Sequence, residues 1–370
     1  MADAISSTSP KGFTVKVKEF FKKNVWLFLA LAVLVINAVF IYVIFFTTAT
    51  PPTPIVPTPA VEEPPIGMIR SELTGEYIPE AQAVKRPYAI MVDNFPSVRP
   101  ASGLSQASWV WETLVEGGVT RLMAVFQSTN KVVIGPVRSA REYFLPLASE
   151  LSAVYVHSGG SPAALAALSD MQTIANADEF ANGYAYYRRS GLIPPHNLFT
   201  TTEKLDDLVT RRGWESTVKL HQQTFSDEAP KGGEPAQVVR VDFSVPSYGV
   251  LWRWDSERKR YARFIDGVQA TDRENAEVIR AATIVAEITK ITPAPRAAVP
   301  DAVTVGTVGK GKAWFFRDGQ AFSGSWEKSS AGSPTKYLDA NGLPFAFARG
   351  PVWVEIASMS RDGAVTFGND

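Results

Sequence analysis

The chain has 370 residues and no cysteine, and its 37 basic and 37 acidic residues give a formal net charge of zero. The absence of cysteine excludes disulfides, thiolate metal sites, a cysteine nucleophile and a lipid-modified cysteine within this sequence. The balanced charge, with no long basic run beyond the N-terminus, argues against nucleic-acid binding.

An apolar segment lies close to the N-terminus. Val25–Phe46 is interrupted only by Asn37, and it is about as long as the roughly 20 residues that a helix needs to cross a bilayer. Lysines precede it at positions 11, 16, 18, 22 and 23, whereas the first basic residue after it is Arg70. The positive-inside rule therefore predicts that residues 1–24 are cytoplasmic and that the rest is extracytoplasmic. A cleaved signal peptide is the alternative, but its apolar region usually has only about 7–15 residues.

The remaining sequence is divided by composition. Residues 47–67 contain seven prolines, which favour an extended polyproline II stalk. Residues 226–235 are rich in charge, Gly and Pro and read as a linker. We therefore expect two domains, at 68–225 and 236–370, each with its own core.

Periodicity predicts different folds for these two domains. The first is expected to have strands at Tyr88–Asp93, Trp109–Val115, Arg121–Gln127, Lys131–Ile134 and Ala153–His157, and helices at Ala140–Leu151, Pro162–Met171 and Glu203–Arg211. The second is expected to have short strands with hairpin signals at Asp266-Gly267, Asp318-Gly319, Asn341-Gly342 and Asp362-Gly363. The predicted fold class is an α/β N-terminal domain with a mixed sheet, followed by a smaller, mostly β C-terminal domain.

The segment Gly135–Glu142 is the first candidate binding motif. Ser139 and Glu142 have the spacing of a capping box, so a helix is expected to start at Ala140 with free backbone N–H groups. Arg138 and Arg141 would flank that helix start and grip an anion bidentately.

The segment after the strand Ala153–His157 is the second candidate motif. Gly159 and Gly160 form a turn, and Ser161 is an N-cap before a proline. Because ligands gather outside the carboxyl ends of parallel strands, the two motifs should share one crevice. Its predicted ligand-binding residues are Arg138, Ser139, Arg141, His157, Gly159, Gly160 and Ser161. The alternative is that the glycines only permit a turn and that the arginines pair with Glu142 or Glu150.

Three other polar positions have two interpretations each. Asp93-Asn94 ends a strand, either as an Asx turn or as a carboxylate that holds Mg²⁺ through water. His196 is either a ligand or general base, or a loop histidine bonded to backbone. The histidines at 157, 196 and 221 are too widely spaced to support a zinc site, and no cofactor motif is present.

Several motifs resemble those of the YerB-like lipoprotein family. They are Arg86–Asn94, Arg99–Ala107, Glu116–Arg121, Gly135–Arg141, His157–Ser161 and His196–Thr200, with Val308–Phe316 and Gly324–Trp326 further on. The resemblance covers roughly residues 70–225 and the C-terminal domain, and it implies a bacterial envelope protein of unestablished biochemical function. It adds Arg99, Arg121 and Asn197, together with Asp93, Asn94 and His196, to the candidate ligand-binding residues. The transmembrane helix would replace the lipid anchor.

Three functions are consistent with these features. The first is a binding protein for an anionic envelope component, such as a phosphate-bearing glycopolymer or lipid-linked precursor. The second is an enzyme, because the order of elements resembles that of the LytR-CpsA-Psr phosphotransferases, although their arginine-aspartate motifs are missing. The third is a structural module that docks a protein partner.

The lysine asymmetry predicts the membrane topology. Alkaline phosphatase fused after Asp370 should be active, because this reporter folds only outside the cytoplasm, and the same reporter fused after Lys23 should be inactive. An inactive C-terminal fusion, or release of a shortened soluble protein as the main species, would contradict a retained anchor with a cytoplasmic N-terminus.

Overall fold

The computed structural model describes residues 18–44, 64–127, 131–215, 217–221, 223–294 and 297–369. The chain divides into two compact units, Met1–Glu63 and Pro64–Asp370. In the first unit, helix α1 (Val25–Tyr42) has a mean hydropathy of 2.6 and no buried residue, and its length and composition suffice to cross a membrane. Residues 45–46 of the predicted span and 47–63 of the predicted stalk lie outside the described residues.

The second unit is rich in strands. Its helices are α2 (Glu80–Ala83), α3 (Leu145–Glu150), α4 (Pro162–Asp170) and α5 (Thr202–Arg212). Its strands are β1 (Met68–Arg70), β2 (Tyr77–Pro79), β3 (Tyr88–Asp93), β4 (Trp109–Leu114), β5 (Thr120–Phe126), β6 (Val133–Ile134), β7 (Val154–His157), β8 (Ala175–Asp178), β9 (Tyr187–Arg188), β10 (Leu198–Thr201), β11 (Glu234–Pro235), β12 (Val238–Asp242), β13 (Gly249–Asp255), β14 (Arg260–Ile265), β15 (Val268–Gln269), β16 (Arg280–Ala281), β17 (Thr283–Thr289), β18 (Ile291–Pro293), β19 (Val303–Val305), β20 (Gly309–Arg317), β21 (Gln320–Lys328), β22 (Lys336–Asp339), β23 (Val352–Ser358) and β24 (Val365–Gly368).

One mixed sheet runs through the second unit. Its strand order is β11-β21-β20-β17-β23-β4-β5-β3-β7-β8, with β22 beside β21. The pairs β17–β23, β23–β4, β3–β7 and β7–β8 are parallel, and the others are antiparallel. A smaller antiparallel sheet has the order β15-β14-β13-β12-β24, with β16 beside β14. The predicted fold class is confirmed.

The predicted turns have different outcomes. Asp266 and Asp318 have φ of 52°, and the glycines after them have φ of 74° and 70°, as a two-residue hairpin loop requires. They join β14 to β15 and β20 to β21, so these two hairpins are confirmed. Asn341-Gly342 forms a turn after β22, and Asp362-Gly363 links strands of different sheets, so the latter hairpin prediction is wrong.

The two predicted domains share a sheet and a core. Strand β4 pairs in parallel with β23, and Thr113 Oγ1 donates to the Ile356 carbonyl at 3.1 Å. One hydrophobic cluster contains both Val110 and Trp353. The expectation that each domain has its own core is therefore wrong. If the domains were separate, β4 and β23 would each have an unpaired edge, and their pairing with each other covers both edges. The domain bounds 68–225 and 236–370 stay a prediction.

The topology places polar residues at one edge of the sheet. Parallel strands β3, β7 and β8 end at Asp93, His157 and Asp178, and antiparallel β5 places Arg121 opposite Asp93. The carboxyl ends of parallel strands are where open α/β sheets bind ligands. This edge is therefore the candidate site.

Continuity of the sheet predicts that the two parts stay together after cleavage. Lys231 is exposed and lies just before β11, so a site-specific protease sequence inserted after Lys231 should be cut without unfolding the protein. The two fragments should elute together in size-exclusion chromatography and separate only in denaturant. Separation under native conditions, with both fragments folded, would show that the shared sheet is dispensable.

Candidate functional site

The chain after Gly135 is extended where a helix was expected. Ala140 donates to the Gly159 carbonyl at 2.9 Å, and Ser158 donates to the Arg138 carbonyl at 3.1 Å, so the two motifs lie side by side. Helical structure starts with a 3-10 turn at Glu142–Phe144. The predicted helix start at Ala140 and its capping box are therefore wrong.

Proline decides where this helix begins. Pro146 lies in the first turn of α3, where the backbone N–H that proline lacks would have no partner within the helix. It therefore fits the start of an α-helix, whereas in the middle of a longer helix it would cause a kink. Glu142 accepts a hydrogen bond from Ser161 Oγ at 2.9 Å instead of capping a helix with Ser139.

The second motif has the predicted local structure. Ser161 is the N-cap of α4, and its Oγ accepts the Ala164 N–H at 3.2 Å. Gly159 has φ of 57°, and a Cβ there would lie 3.1 Å from the Phe180 ring. The glycine is thus needed both for its backbone conformation and for the close approach of that ring.

Arg141 and Arg121 are internal ion-pair partners. Arg141 Nε donates to Glu116 Oε2 at 2.8 Å, and its Nη2 bonds Oε1 of the same carboxylate. Arg121 is buried, donates to the Ser139 carbonyl at 3.0 Å and lies 3.4 Å from Glu116. Burial alone would raise the pKa of Glu116, but the Arg141 hydrogen bond and both arginine charges outweigh it and lower that pKa to about 2. These contacts remove Arg141 and Arg121 from the predicted ligand-binding set.

Arg138 lies at the sheet edge beside Asp93. Its Nε is 3.3 Å from Asp93 Oδ2 as an ion pair, yet this buried Nε has no hydrogen-bond acceptor among the described residues. Its Nη1 donates to the Pro195 carbonyl at 3.4 Å. Asp93 Oδ1 accepts the Phe95 N–H at 3.0 Å, so the predicted Asx turn is present.

Asp93 also orients His196. Its Oδ2 lies 2.6 Å from His196 Nδ1, and the Phe95 ring stacks on the imidazole at 5.1 Å. A carboxylate at Nδ1 makes that nitrogen the donor and leaves Nε2 as the acceptor. This tautomer and the partial exposure of the ring fit a general base.

His157 is buried and has a positioning role. Its Nδ1 lies 2.8 Å from the Gly159 carbonyl and its Nε2 lies 2.7 Å from Asn176 Oδ1. Its side chain is fully buried, so it braces the glycine turn rather than facing a ligand. Ser161 has a similar role, since its hydroxyl serves both α4 and Glu142.

A cleft of about 640 Å³, which we call the strand-end cleft, opens at this edge. Of the predicted residues, its walls contain Arg138, Ser139, Gly159 and Gly160. The walls also contain Ser158, Asp178, Phe180 and Arg188, which sequence reasoning did not assign to the site. Asp178 ends β8, whose sequence Ala-Asn-Ala-Asp has too little apolar character to be recognised as a strand.

The added residues form a polar network with one exposed ring. Arg188 donates to Glu179 Oε1 at 2.7 Å and to Asn197 Oδ1 at 3.1 Å, so Asn197 acts by orienting Arg188. Asp178 Oδ1 accepts the Gly159 N–H at 2.8 Å. The Phe180 side chain is 82% exposed. Within the described ranges, no group of three or more His, Asp or Glu is arranged to hold a metal ion.

Asn94 and Arg99 line a different pocket. Asn94 Nδ2 donates to Glu112 Oε1 at 3.0 Å, and Arg99 donates to the Asn94 and Ser247 carbonyls at 2.9 and 2.7 Å. Both residues face a pocket that also contains Arg263. These two candidate residues therefore do not line the strand-end cleft, whereas both motifs that were predicted to share one crevice do.

Loss of the Arg141–Glu116 pair should destabilise the fold. We expect Arg141→Ala to lower the free energy of unfolding at pH 7 by about 2–3 kcal/mol, between the values typical of exposed and buried pairs. The control Arg211→Ala removes an exposed i,i+4 pair with Asp207 and should cost at most about 0.5 kcal/mol. Denaturant unfolding measures both.

The same pair predicts a pH dependence. Since the pKa of Glu116 is lowered in the folded state, its stabilisation is present above about pH 4.5 and is lost as the pH falls through about 2. The stability difference between wild type and Arg141→Ala should shrink over that range. A difference that is constant from pH 5 to pH 2 would contradict this assignment.

Comparison with known proteins agrees with this architecture. Residues 73–215 match the N-terminal domain, and residues 239–354 the C-terminal domain, of the family described as Protein of unknown function (DUF3048). The chain is 34% identical over 214 residues to the Bacillus subtilis (strain 168) protein described as Putative lipoprotein YerB. That match covers 57% of this chain and 64% of the relative, which is just under two thirds of its length.

A solved structure shows the same fold. The crystal structure of YerB from Bacillus subtilis aligns with a TM-score of 0.73 and 28% identity, over 81% of this chain and all of that one. The family matches together span most of the compact unit Pro64–Asp370 and occur in the order of its two parts. The chain therefore belongs to the DUF3048 family, to which the YerB-like motifs in its sequence had assigned it.

Proposed function

We propose that this chain is a membrane-anchored envelope protein whose strand-end cleft binds a phosphate-bearing glycan outside the cytoplasmic membrane. Helix α1 and the description of the relative as a lipoprotein support membrane association. The extracytoplasmic orientation rests on the lysines before α1.

The observation that carries the proposal is the group of unused donors around Arg138. Its Nε forms an ion pair with Asp93 but makes no hydrogen bond, and no described residue accepts the N–H groups of Ser139 and Gly160. Gly160 directly precedes Ser161, the N-cap of α4, and the positive dipole end of that helix favours an anion. Together these groups suit a single phosphate.

The rest of the cleft suits a sugar better than a second anion. Asp178 and the neighbouring Glu179 contribute negative charge, which would repel a polyanion but accept hydrogen bonds from hydroxyl groups. The exposed Phe180 ring offers a flat apolar face against which the C–H face of a sugar ring packs. A glycan with one phosphate matches both parts of the cleft.

A second candidate function is a phosphotransferase-like enzyme acting on lipid-linked glycopolymers. It is favoured by His196, whose Nε2 is left as the acceptor when Asp93 holds Nδ1. In that reaction the hydroxyl oxygen of an acceptor would form a bond to the phosphorus that carries the glycopolymer while His196 takes the hydroxyl proton. The P–O bond to the lipid phosphate would break, the lipid phosphate would leave as an anion, and Arg138 would stabilise the phosphoryl oxygens. Formation of a transferred product, and its loss in His196→Gln, would distinguish catalysis from binding alone.

Binding of N-acetylglucosamine 1-phosphate to the full chain in detergent micelles tests the proposed ligand. We expect Arg138→Gln to weaken its binding about tenfold to a hundredfold, because a charge-assisted hydrogen bond is lost, and Arg138→Lys to weaken it less. Phe180→Ala should weaken the binding of both this phosphorylated probe and N-acetylglucosamine. Isothermal titration calorimetry measures each affinity.

Arg253→Gln is the matched control, because Arg253 is an exposed arginine of β13 that does not line the cleft. The affinity of Arg253→Gln for N-acetylglucosamine 1-phosphate should equal that of wild type. No binding by folded wild-type protein, or equal affinities in wild type and Arg138→Gln, would refute the proposal and leave a protein-docking role for this edge.

A further inference from the structure

A second, smaller pocket lies between the two family domains. It has a volume of about 270 Å³, and we call it the Arg99–Arg263 pocket. Its apolar wall includes Pro96, Pro100, Leu104, Ile265, Ile279 and Trp353. The pocket shares no lining residue with the strand-end cleft, and its size is slightly below the roughly 300–1,000 Å³ usual for small-molecule sites.

Arg263 is a buried charge with an uncommitted donor. Its side chain is 3% exposed, and its Nη2 pairs with Glu112 Oε2 at 2.5 Å. Its guanidinium carbon lies 4.8 Å from the Trp353 ring centroid, a cation–π contact that holds the group in place. Its buried Nε has no hydrogen-bond partner among the described residues. A buried unpaired donor is costly unless a ligand satisfies it.

Arg99 is near Arg263 and has no carboxylate partner. It donates to the carbonyls of Asn94 and Ser247 at 2.9 and 2.7 Å, which are neutral acceptors, and no ion pair joins it to a described residue. Burial and then the positive charge of Arg263 lower the pKa of Arg99, so the two like charges are close enough to interact. An anion between them would relieve that repulsion.

The buried carboxyl groups do not cancel both arginines. Both carboxylate oxygens of Glu112 already accept hydrogen bonds. Oε2 accepts one from Arg263, and Oε1 accepts one from Thr120 Oγ1 at 2.7 Å. Burial and then the charge of Glu112 raise the pKa of Glu355, its register partner on β23, well above the ordinary value, which disfavours the ionised form of Glu355. Asp266 lies on the exposed rim. Of these carboxyl groups, only Glu112 forms an ion pair with one of the two arginines, Arg263, so Arg99 has no carboxylate ion-pair partner among the described residues.

We propose that the Arg99–Arg263 pocket binds a small aromatic monocarboxylate. Its planar carboxylate would bridge the two guanidinium groups, for which carboxylates are geometrically matched. Its flat apolar body would lie between the prolines and Trp353, which supply the apolar contacts that dominate small-molecule sites.

Calorimetric titration of the full chain in detergent micelles with 2-naphthoate tests this site, with protein-free micelles as the blank. Wild type should bind 2-naphthoate at least about tenfold more tightly than the neutral analogue 2-naphthylmethanol, the factor expected for one charge-assisted contact. Arg99→Gln should remove this preference while leaving affinity for the neutral analogue unchanged.

A cavity-filling variant keeps all charges and tests the location. Ala270 lines the pocket, so Ala270→Leu should abolish binding of 2-naphthoate, whereas Ala297→Leu on an exposed loop should not change it. Thermal unfolding establishes that each variant is folded. Absence of binding by folded wild type, or the same affinity in Ala270→Leu and Ala297→Leu, would overturn the proposal.

Discussion

Parallel pairing of β4 with β23 is the contact on which the rest of this structure depends. It joins strands more than 240 residues apart in sequence, as the bond from Thr113 to the Ile356 carbonyl shows. A parallel strand buried on both faces needs both of its edges paired, because its backbone groups cannot reach water. The two family domains therefore each contribute strands to one sheet, and β4 and β23 each leave an edge unpaired unless they pair with each other.

The same pairing places charge in the protein interior. Glu112 and Glu355 are register partners on these strands, and Arg263 reaches Glu112 from the smaller sheet. Burying such groups is expensive and seldom adds stability by itself. The buried Nε of Arg263 has no hydrogen-bond partner among the described residues and Arg263 lines a cavity, which connects this charged cluster with the ligand proposed for the Arg99–Arg263 pocket.

The strand-end cleft follows from a different consequence of the topology. Parallel β3, β7 and β8 all end at one edge, so Asp93 and Asp178 reach the same region although they belong to distant segments. Asp93 positions both Arg138 and His196, while Asp178 holds the glycine turn through the Gly159 N–H. At this edge, carboxylates therefore hold Arg138, His196 and the Gly159 N–H in place beside the strand-end cleft.

Short sequence patterns were sufficient to predict the strands and helices that depend on interactions between residues close together in the chain. Apolar runs identified β3, β5 and β7 to within two residues, the predicted helix at Glu203–Arg211 lies within α5, which Thr201 caps, and the run from Val25 indicated α1. In each case the determining interactions, such as side-chain alternation, a cap bond three residues away or the length of an apolar helix, lie within a few turns of the chain.

Tertiary structure alone decided which arginine lines the strand-end cleft. Arg138 and Arg141 look equivalent in sequence, yet Arg141 is bound to Glu116, which is 25 residues away, and Arg138 is left at the cleft. An ion pair depends on where two distant backbones place their side chains, and no short-range pattern encodes that distance. By itself, the sequence indicated the apolar helix α1, most of the strands and the family motifs, whereas the shared sheet and the separation of the two pockets were decided by long-range strand pairing.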